Sequence, residues 1–175
     1  MRKYSISPAV AEDLPLLAAI EKRAAARFPA GSIPDYLFGQ SVPMDVLKQA
    51  MTSGGLFCAR LDGLPVGFAL FQVFENLAYL AELDVDPEHM GRGLGSALIE
   101  KCAEHARALD FSKLYLTTFS NFDWNEPFYA RRGFRTLNAK DMPAQIKKTL
   151  VEQAESGMQN RVGMVRRLEQ NPAKP

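Results

Sequence analysis

Three glycines at alternate positions, in Met90-Gly91-Arg92-Gly93-Leu94-Gly95, stand where an apolar run from Leu77 to Val85 gives way to a helical pattern beginning near Leu94. Asp86-Pro87-Glu88-His89 turns the chain between the two. Glycine lets a backbone approach a ligand closely and adopt conformations closed to other residues. Successive N–H groups at a helix N-terminus point one way, and the helix dipole adds positive potential there, so this loop suits phosphate oxygens. Its spacing excludes two kinds of phosphate binder. No G-x-x-x-x-G-K-[ST] string occurs, and the loop reads G-x-G-x-G where a dinucleotide fold needs G-x-G-x-x-G. A tight strand-to-helix turn also uses glycine, but three alternate ones exceed what that turn requires.

The strand entering the loop carries acids. Alternation puts Glu82 and Asp84 on one face and Leu83 and Val85 on the other. Those carboxylates suit either proton transfer or a structural ion pair with a basic residue. Glu75 and Tyr79 are lesser candidates for a base. His89 and His105 read as surface residues, and no cluster supports a metal site. Cys58 and Cys102 lie in apolar stretches without metal-ligand spacing and read as buried, reduced thiols.

The elements that must hold these groups follow from periodicity. Lys3 to Ile6 reads as a strand, then Asp13 as the N-cap of a helix with Pro15 in its first turn and Leu17, Ile20, Ala24 and Phe28 on one face. Ser32 to Val42 is irregular, and Met44 to Met51 is a short helix. The region from Phe28 to Phe38 contains Phe28, Tyr36 and Phe38, which suit either a cover over an apolar cleft or core packing; Glu21 or Asp35 could attract a cationic amine there. Leu56–Arg60 and Pro65–Phe74 flank the hairpin signal Asp62-Gly63, and Leu77–Val85 forms another long strand. A helix from Leu94 to Leu109, a strand at Lys113–Thr118 and a helix over Trp124–Arg132 stopped by Gly133 come next. Phe134 begins a strand, Asp141-Met142-Pro143 repeats the Asp-x-Pro helix start, and Arg161–Leu168 is a last strand. This order predicts an α/β fold with a mixed, mostly antiparallel central sheet and helices on both faces.

Size and composition limit the rest. The 175 residues fit a single domain over 3–170, with a frayed tail at 171–175. A net charge of +1, from 21 basic and 20 acidic residues, gives no electrostatic reason to expect nucleic acid as partner. Tyr4-Ser5-Ile6-Ser7-Pro8 follows the basic Met1-Arg2-Lys3 in place of an apolar run, and no stretch approaches the roughly 18 apolar residues that span a bilayer. A cytoplasmic protein without membrane partners is expected.

Val85-Asp86-Pro87-Glu88-His89-Met90-Gly91-Arg92-Gly93-Leu94-Gly95-Ser96-Ala97-Leu98 resembles the acyl-CoA loop of the GNAT acyltransferase superfamily. Met90 departs from that pattern, standing where glutamine or arginine is usual. A second segment, Trp124-Asn125-Glu126-Pro127-Phe128-Tyr129-Ala130-Arg131-Arg132-Gly133-Phe134, resembles the family's later signature of an asparagine, a Phe-Tyr pair and a closing Gly-Phe. The asparagine follows a subgroup pattern, because the more widespread position falls on Phe122.

The resemblance implies transfer of an acetyl group from acetyl-CoA, as cosubstrate and without a metal, to a primary amine by direct attack. The acceptor, a small molecule or a peptide, is not identified by the sequence. It further implies that main-chain N–H groups from Met90 to Ser96 hold the pyrophosphate, with Arg92 adding charge. Leu83, Asp84 and Val85 would pair their backbone with the pantetheine arm, the Leu83 N–H facing the oxyanion. Asn125 and Phe128 join the cofactor site, Tyr129 is the general acid toward the CoA sulfur, and Glu82 is the candidate base. Many members of the family are dimers, and a homodimer is expected on that ground alone. The competing expectation is a non-catalytic acyl-CoA-binding or regulatory module.

Overall fold

Strand β1 (Tyr4–Pro8) pairs antiparallel with β2 (Leu56–Leu61) in a computed structural model that describes residues 3–169. The expected tail at 171–175 lies outside the described residues. Helices α1 (Leu14–Ala25) and α2 (Met44–Thr52) come between those strands, with a 3-10 turn at Asp35–Gly39. The hairpin from β2 into β3 (Leu64–Phe74) turns on Asp62 and Gly63, at φ 50° and 90°. Those are the left-handed conformations that make Asp-Gly a hairpin signal. Then follow β4 (Leu77–Val85), α3 (Leu94–Ala108), β5 (Lys113–Phe119), α4 (Glu126–Ala130), β6 (Arg135–Thr136), α5 (Ala144–Glu155) and β7 (Arg161–Arg167).

The seven strands are hydrogen-bonded in the order β1-β2-β3-β4-β5-β7-β6. β4 runs parallel to β5, whereas β1/β2, β2/β3, β5/β7 and β6/β7 are antiparallel. The sheet is therefore mixed and mostly antiparallel, as the sequence predicts. No helix among the described residues is long and apolar enough to cross a membrane.

The described chain groups into two compact units, residues 3–72 with 80–105, and residues 73–79 with 106–169. In the first, Leu14, Leu17 and Ile20 of α1 pack with Leu47 and Ala50 of α2 and with Leu56, Cys58, Phe68 and Leu70 of the strands. Leu17, Cys58 and Phe68 are wholly buried, and each leucine or phenylalanine so placed contributes about 1.5–3 kcal/mol.

Asp13 corrects its expected role. It makes no side-chain cap on α1. Its carboxylate instead accepts the Val10 N–H at 2.8 Å and two hydrogen bonds from Arg60, at 2.8 and 2.6 Å. Burial alone would raise the Asp13 carboxyl, but the Arg60 hydrogen bonds and charge hold it below its usual value. The second Asp-x-Pro start behaves similarly: α5 has no side-chain cap, and Asp141 lies 3.8 Å from Arg135 on the surface.

In the second unit, β7 and α5 meet at Gly163, where a Cβ would lie 2.7 Å from Ile146 Cγ2. Only glycine admits that approach. The helix expected over Trp124–Arg132 shrinks to Glu126–Ala130: Asn125 before it sits at φ −109° and ψ −95°, outside helical geometry, and Trp124 stacks on buried Phe122 at 5.0 Å. Gly133 ends the segment at φ 82°, as predicted, but the following strand covers only Arg135–Thr136.

Candidate active site

β4 ends where the Asp86 N–H donates to the Val66 carbonyl at 2.9 Å. Arg23 of α1 then grips Asp86 Oδ2 through Nε at 2.8 Å and Nη2 at 2.6 Å, while Oδ1 accepts the Glu88 N–H. After a 3-10 turn at Pro87–His89, Gly91 and Gly93 take φ of 72° and 79°. A Cβ on either would meet nothing within 4 Å. Packing within the chain does not demand these glycines; the left-handed backbone does.

The Gly93 carbonyl accepts the Ala97 N–H at 3.0 Å and so opens α3. Gly95 and Ser96 lie inside its first turn. Met90 is extended and half-buried. The exposed Arg92 sits 5.8 Å from the Tyr4 ring centroid, and the Tyr4 hydroxyl lies 3.2 Å from His89 Nδ1. Two left-handed glycines facing open space at the head of a long helix leave room for a diphosphate group.

The acids on β4 share one face, as alternation predicts, and Glu21 of α1 joins them. One carboxylate oxygen from each of Glu21, Glu82 and Asp84 lies within 4.8 Å of the others. Three carboxylates so placed can hold protons, an organic ammonium or a divalent cation. Asp84 Oδ2 is buried and has no hydrogen-bond partner. Burial, then the charges of Glu82 and Glu21, push the Asp84 carboxyl well above its usual value. Burial, then the Glu82 charge, raise Glu21 to about 7, although the Val42 N–H it accepts at 2.7 Å and the Lys22 charge pull the other way. Like charges so close cannot all ionise, so the cluster retains protons near neutrality.

Two devices fix this convergence. The Arg23–Asp86 pair docks α1 against the end of β4. At Gly67 of β3 a Cβ would lie 2.8 Å from the Asp84 carbonyl oxygen and 3.2 Å from Val85 Cα, so only glycine permits the strands' spacing.

In the second unit, Tyr129 is half-buried, with Phe128 and Phe134 packed edge-on at 5.1 and 5.8 Å. Its backbone N–H donates to the Asn125 carbonyl at 3.1 Å, and its carbonyl accepts the Phe134 N–H at 3.2 Å. Arg132 lies 3.5 Å over the Phe128 ring. The lesser candidates are engaged here: the Tyr79 hydroxyl is 2.7 Å from Thr117 Oγ1, and Glu75 accepts from Gln145.

His105, expected at the surface, is half-buried with Phe57 and Phe71 edge-on at 5.5 and 4.9 Å, and burial, then Lys101, lower its pKa. His89 is likewise half-buried. Of the proposed cover, Asp35 and Tyr36 are exposed, which removes Tyr36 from any core. Cys58 and Cys102 are buried free thiols, and burial raises Cys58 to about 12.

The model of the acetyltransferase (GNAT) family matches residues 20–134. An amino-acid acetyltransferase of Aeromonas salmonicida is 31% identical over 86 residues, or 48% of this chain and 19% of that protein. An amino-acid acetyltransferase of Mycobacterium tuberculosis is 27% identical over 78 residues, 45% of this chain and 42% of the relative. The matches therefore span less than half the length of these curated relatives. N-acetylglutamate synthase from Neisseria gonorrhoeae, complexed with coenzyme A and N-acetyl-glutamate, superposes with a TM-score of 0.72 at 23% identity, over 97% of this chain and 36% of that one. PaiA N-acetyltransferase from Thermoplasma acidophilum, in complex with coenzyme A, gives 0.68 at 15% identity over 94% and 99%. At such identities these two likenesses show the fold.

Proposed function

Because the chain belongs to the acetyltransferase (GNAT) family, we propose that it transfers an acetyl group from acetyl-CoA to the amine of an acceptor by direct attack. The observation that carries this reading is the left-handed Gly91–Gly93 turn opening α3, directly after a strand that ends among carboxylates. The N–H groups of Met90 to Ser96 would hold the pyrophosphate, with Arg92 supplying charge. The backbone of Leu83, Asp84 and Val85 would hold the pantetheine arm, and Asn125 and Phe128 would complete the cofactor site. Bound acetyl-CoA supplies an activated acyl group and a thiol leaving group.

The chain's own residues then manage protons. An alkyl ammonium, with a pKa of about 10, must lose a proton before it can attack. Glu82 accepts that proton, directly or through water, within a cluster that already holds protons near neutrality. The Leu83 N–H donates to the carbonyl oxygen as negative charge develops there. The Tyr129 hydroxyl gives its proton to the departing thiolate. An N–C bond forms, the C–S bond breaks, and one proton passes to solvent overall. The relatives' name suggests amino acids as one acceptor class, and buried free thiols suit a reducing cytoplasm.

The test is free-thiol release from acetyl-CoA across a panel of primary amines, with acetylated product measured alongside. Equal amounts of thiol and acetyl-amine are expected. Tight coenzyme A binding with no release on any amine would instead make the chain a non-catalytic acyl-CoA-binding module.

A further inference from the structure

We infer that the acceptor enters as an alkylammonium with no carboxylate on its amine-bearing carbon, docked by Glu21, Glu82 and Asp84. This rests on the reading of the chain as an acetyltransferase and names the acceptor class of that same site. Three observations point the same way. The carboxylate oxygens come from α1 and β4 and lie within 4.8 Å of one another. An ammonium has three N–H donors. Three acceptors about 2.8 Å from one tetrahedral nitrogen would be about 4.6 Å apart, so the cluster matches one ammonium in number and span. Asp84 Oδ2, buried without a hydrogen-bond partner, is an acceptor lacking its donor.

A hard divalent cation fits less well. Calcium takes six to eight oxygens, and Glu21 already accepts the Val42 N–H at 2.7 Å.

The same electrostatics exclude a free α-amino acid. Its carboxylate sits one carbon from the nitrogen and would enter among the three acids as a further negative charge. Of the basic groups beside Glu21, Lys22 bears on Glu21 itself and Arg23 is bound to Asp86 at 2.6 Å. At about 6 Å and an effective dielectric of about 20, repulsion by a single carboxylate lowers affinity about 100-fold. The preference departs from the class that the relatives' names suggest. Glu21 and Asp84 are positioning residues: they hold the ammonium while Glu82 takes its proton.

The experiment pairs each alkyl amine with the amino acid that adds a carboxylate to the same carbon: propylamine with α-aminobutyrate, and pentylamine with norleucine. In the wild-type protein kcat/KM is expected to favour the amine by about 100-fold, and Glu21→Gln is expected to reduce that ratio about tenfold. Calorimetric binding of each pair to the coenzyme A complex gives a readout independent of turnover. If no amine is acetylated but propylamine still binds far better than α-aminobutyrate, the acetyltransferase reading fails and the cation site stands. Equal kcat/KM or equal binding within a pair overturns the inference. So does a rise in melting temperature with calcium or manganese that propylamine does not produce.

Discussion

Tyr129→Phe is expected to lower acetyl-transfer turnover about 100- to 1,000-fold while coenzyme A affinity stays unchanged, the loss typical of removing a general acid. The substitution deletes one oxygen and keeps the ring. The edge-on contacts with Phe128 and Phe134, and the backbone hydrogen bonds of the segment, do not depend on the hydroxyl. The fold and the binding of coenzyme A should therefore survive. Without the phenol, the thiolate must leave unprotonated, with a conjugate-acid pKa of about 8.5. Turnover from thiol release and affinity from calorimetry separate the two effects, and unaltered turnover would remove Tyr129 from the mechanism.

The second large effect concerns stability, and its sign depends on pH. Glu21 carries a carboxyl raised from 4.5 to about 7 by burial and by the Glu82 charge. Between those values the folded chain holds a proton that the unfolded chain has released. Stability contributed by the neutral acid is thus complete below about pH 4.5 and lost as pH rises through about 7. Glutamine mimics the neutral form at every pH and can still accept the Val42 N–H.

Glu21→Gln is therefore expected to match the wild type at pH 4 and exceed it at pH 8 by about 2–3 kcal/mol, or about 5–10 °C in melting temperature. Asp84→Asn should move stability in the same direction. Both variants should acetylate alkyl amines more weakly while keeping measurable turnover, because the repulsion that weakens the fold is what awaits the cation. Thermal melts at the two pH values check this; a variant less stable than the wild type at pH 8 would show that Glu21 is held by an attraction instead.

Much of this arrangement is legible in the residues. Period-two alternation places Glu82 and Asp84 on one face, Asp62-Gly63 marks its hairpin, and the glycines before Leu94 mark a strand-to-helix loop. What escapes the sequence is set by partners distant along the chain. Glu21 lies one helix and two strands away from the strand of Glu82, so nothing local announces that the two converge. Asp13 before a proline-containing helix start looks the same whether its carboxylate caps the backbone or turns to Arg60; strand β2 decides by delivering the arginine. His105 reads as polar, yet Phe57 and Phe71 fold against it. The Trp124–Arg132 helix is overestimated because its periodicity cannot register that Asn125 sits outside helical geometry.

Calorimetric titration of coenzyme A into the wild-type chain and into Gly93→Val tests the central claim most directly. Gly93 holds φ at 79°, a conformation that costs a β-carbon-bearing residue about 1–2 kcal/mol. Saturable binding to the wild type, weakened at least about tenfold in the variant, is the predicted result. A wild-type chain that ignores coenzyme A but is stabilised by ATP or NAD would contradict the account.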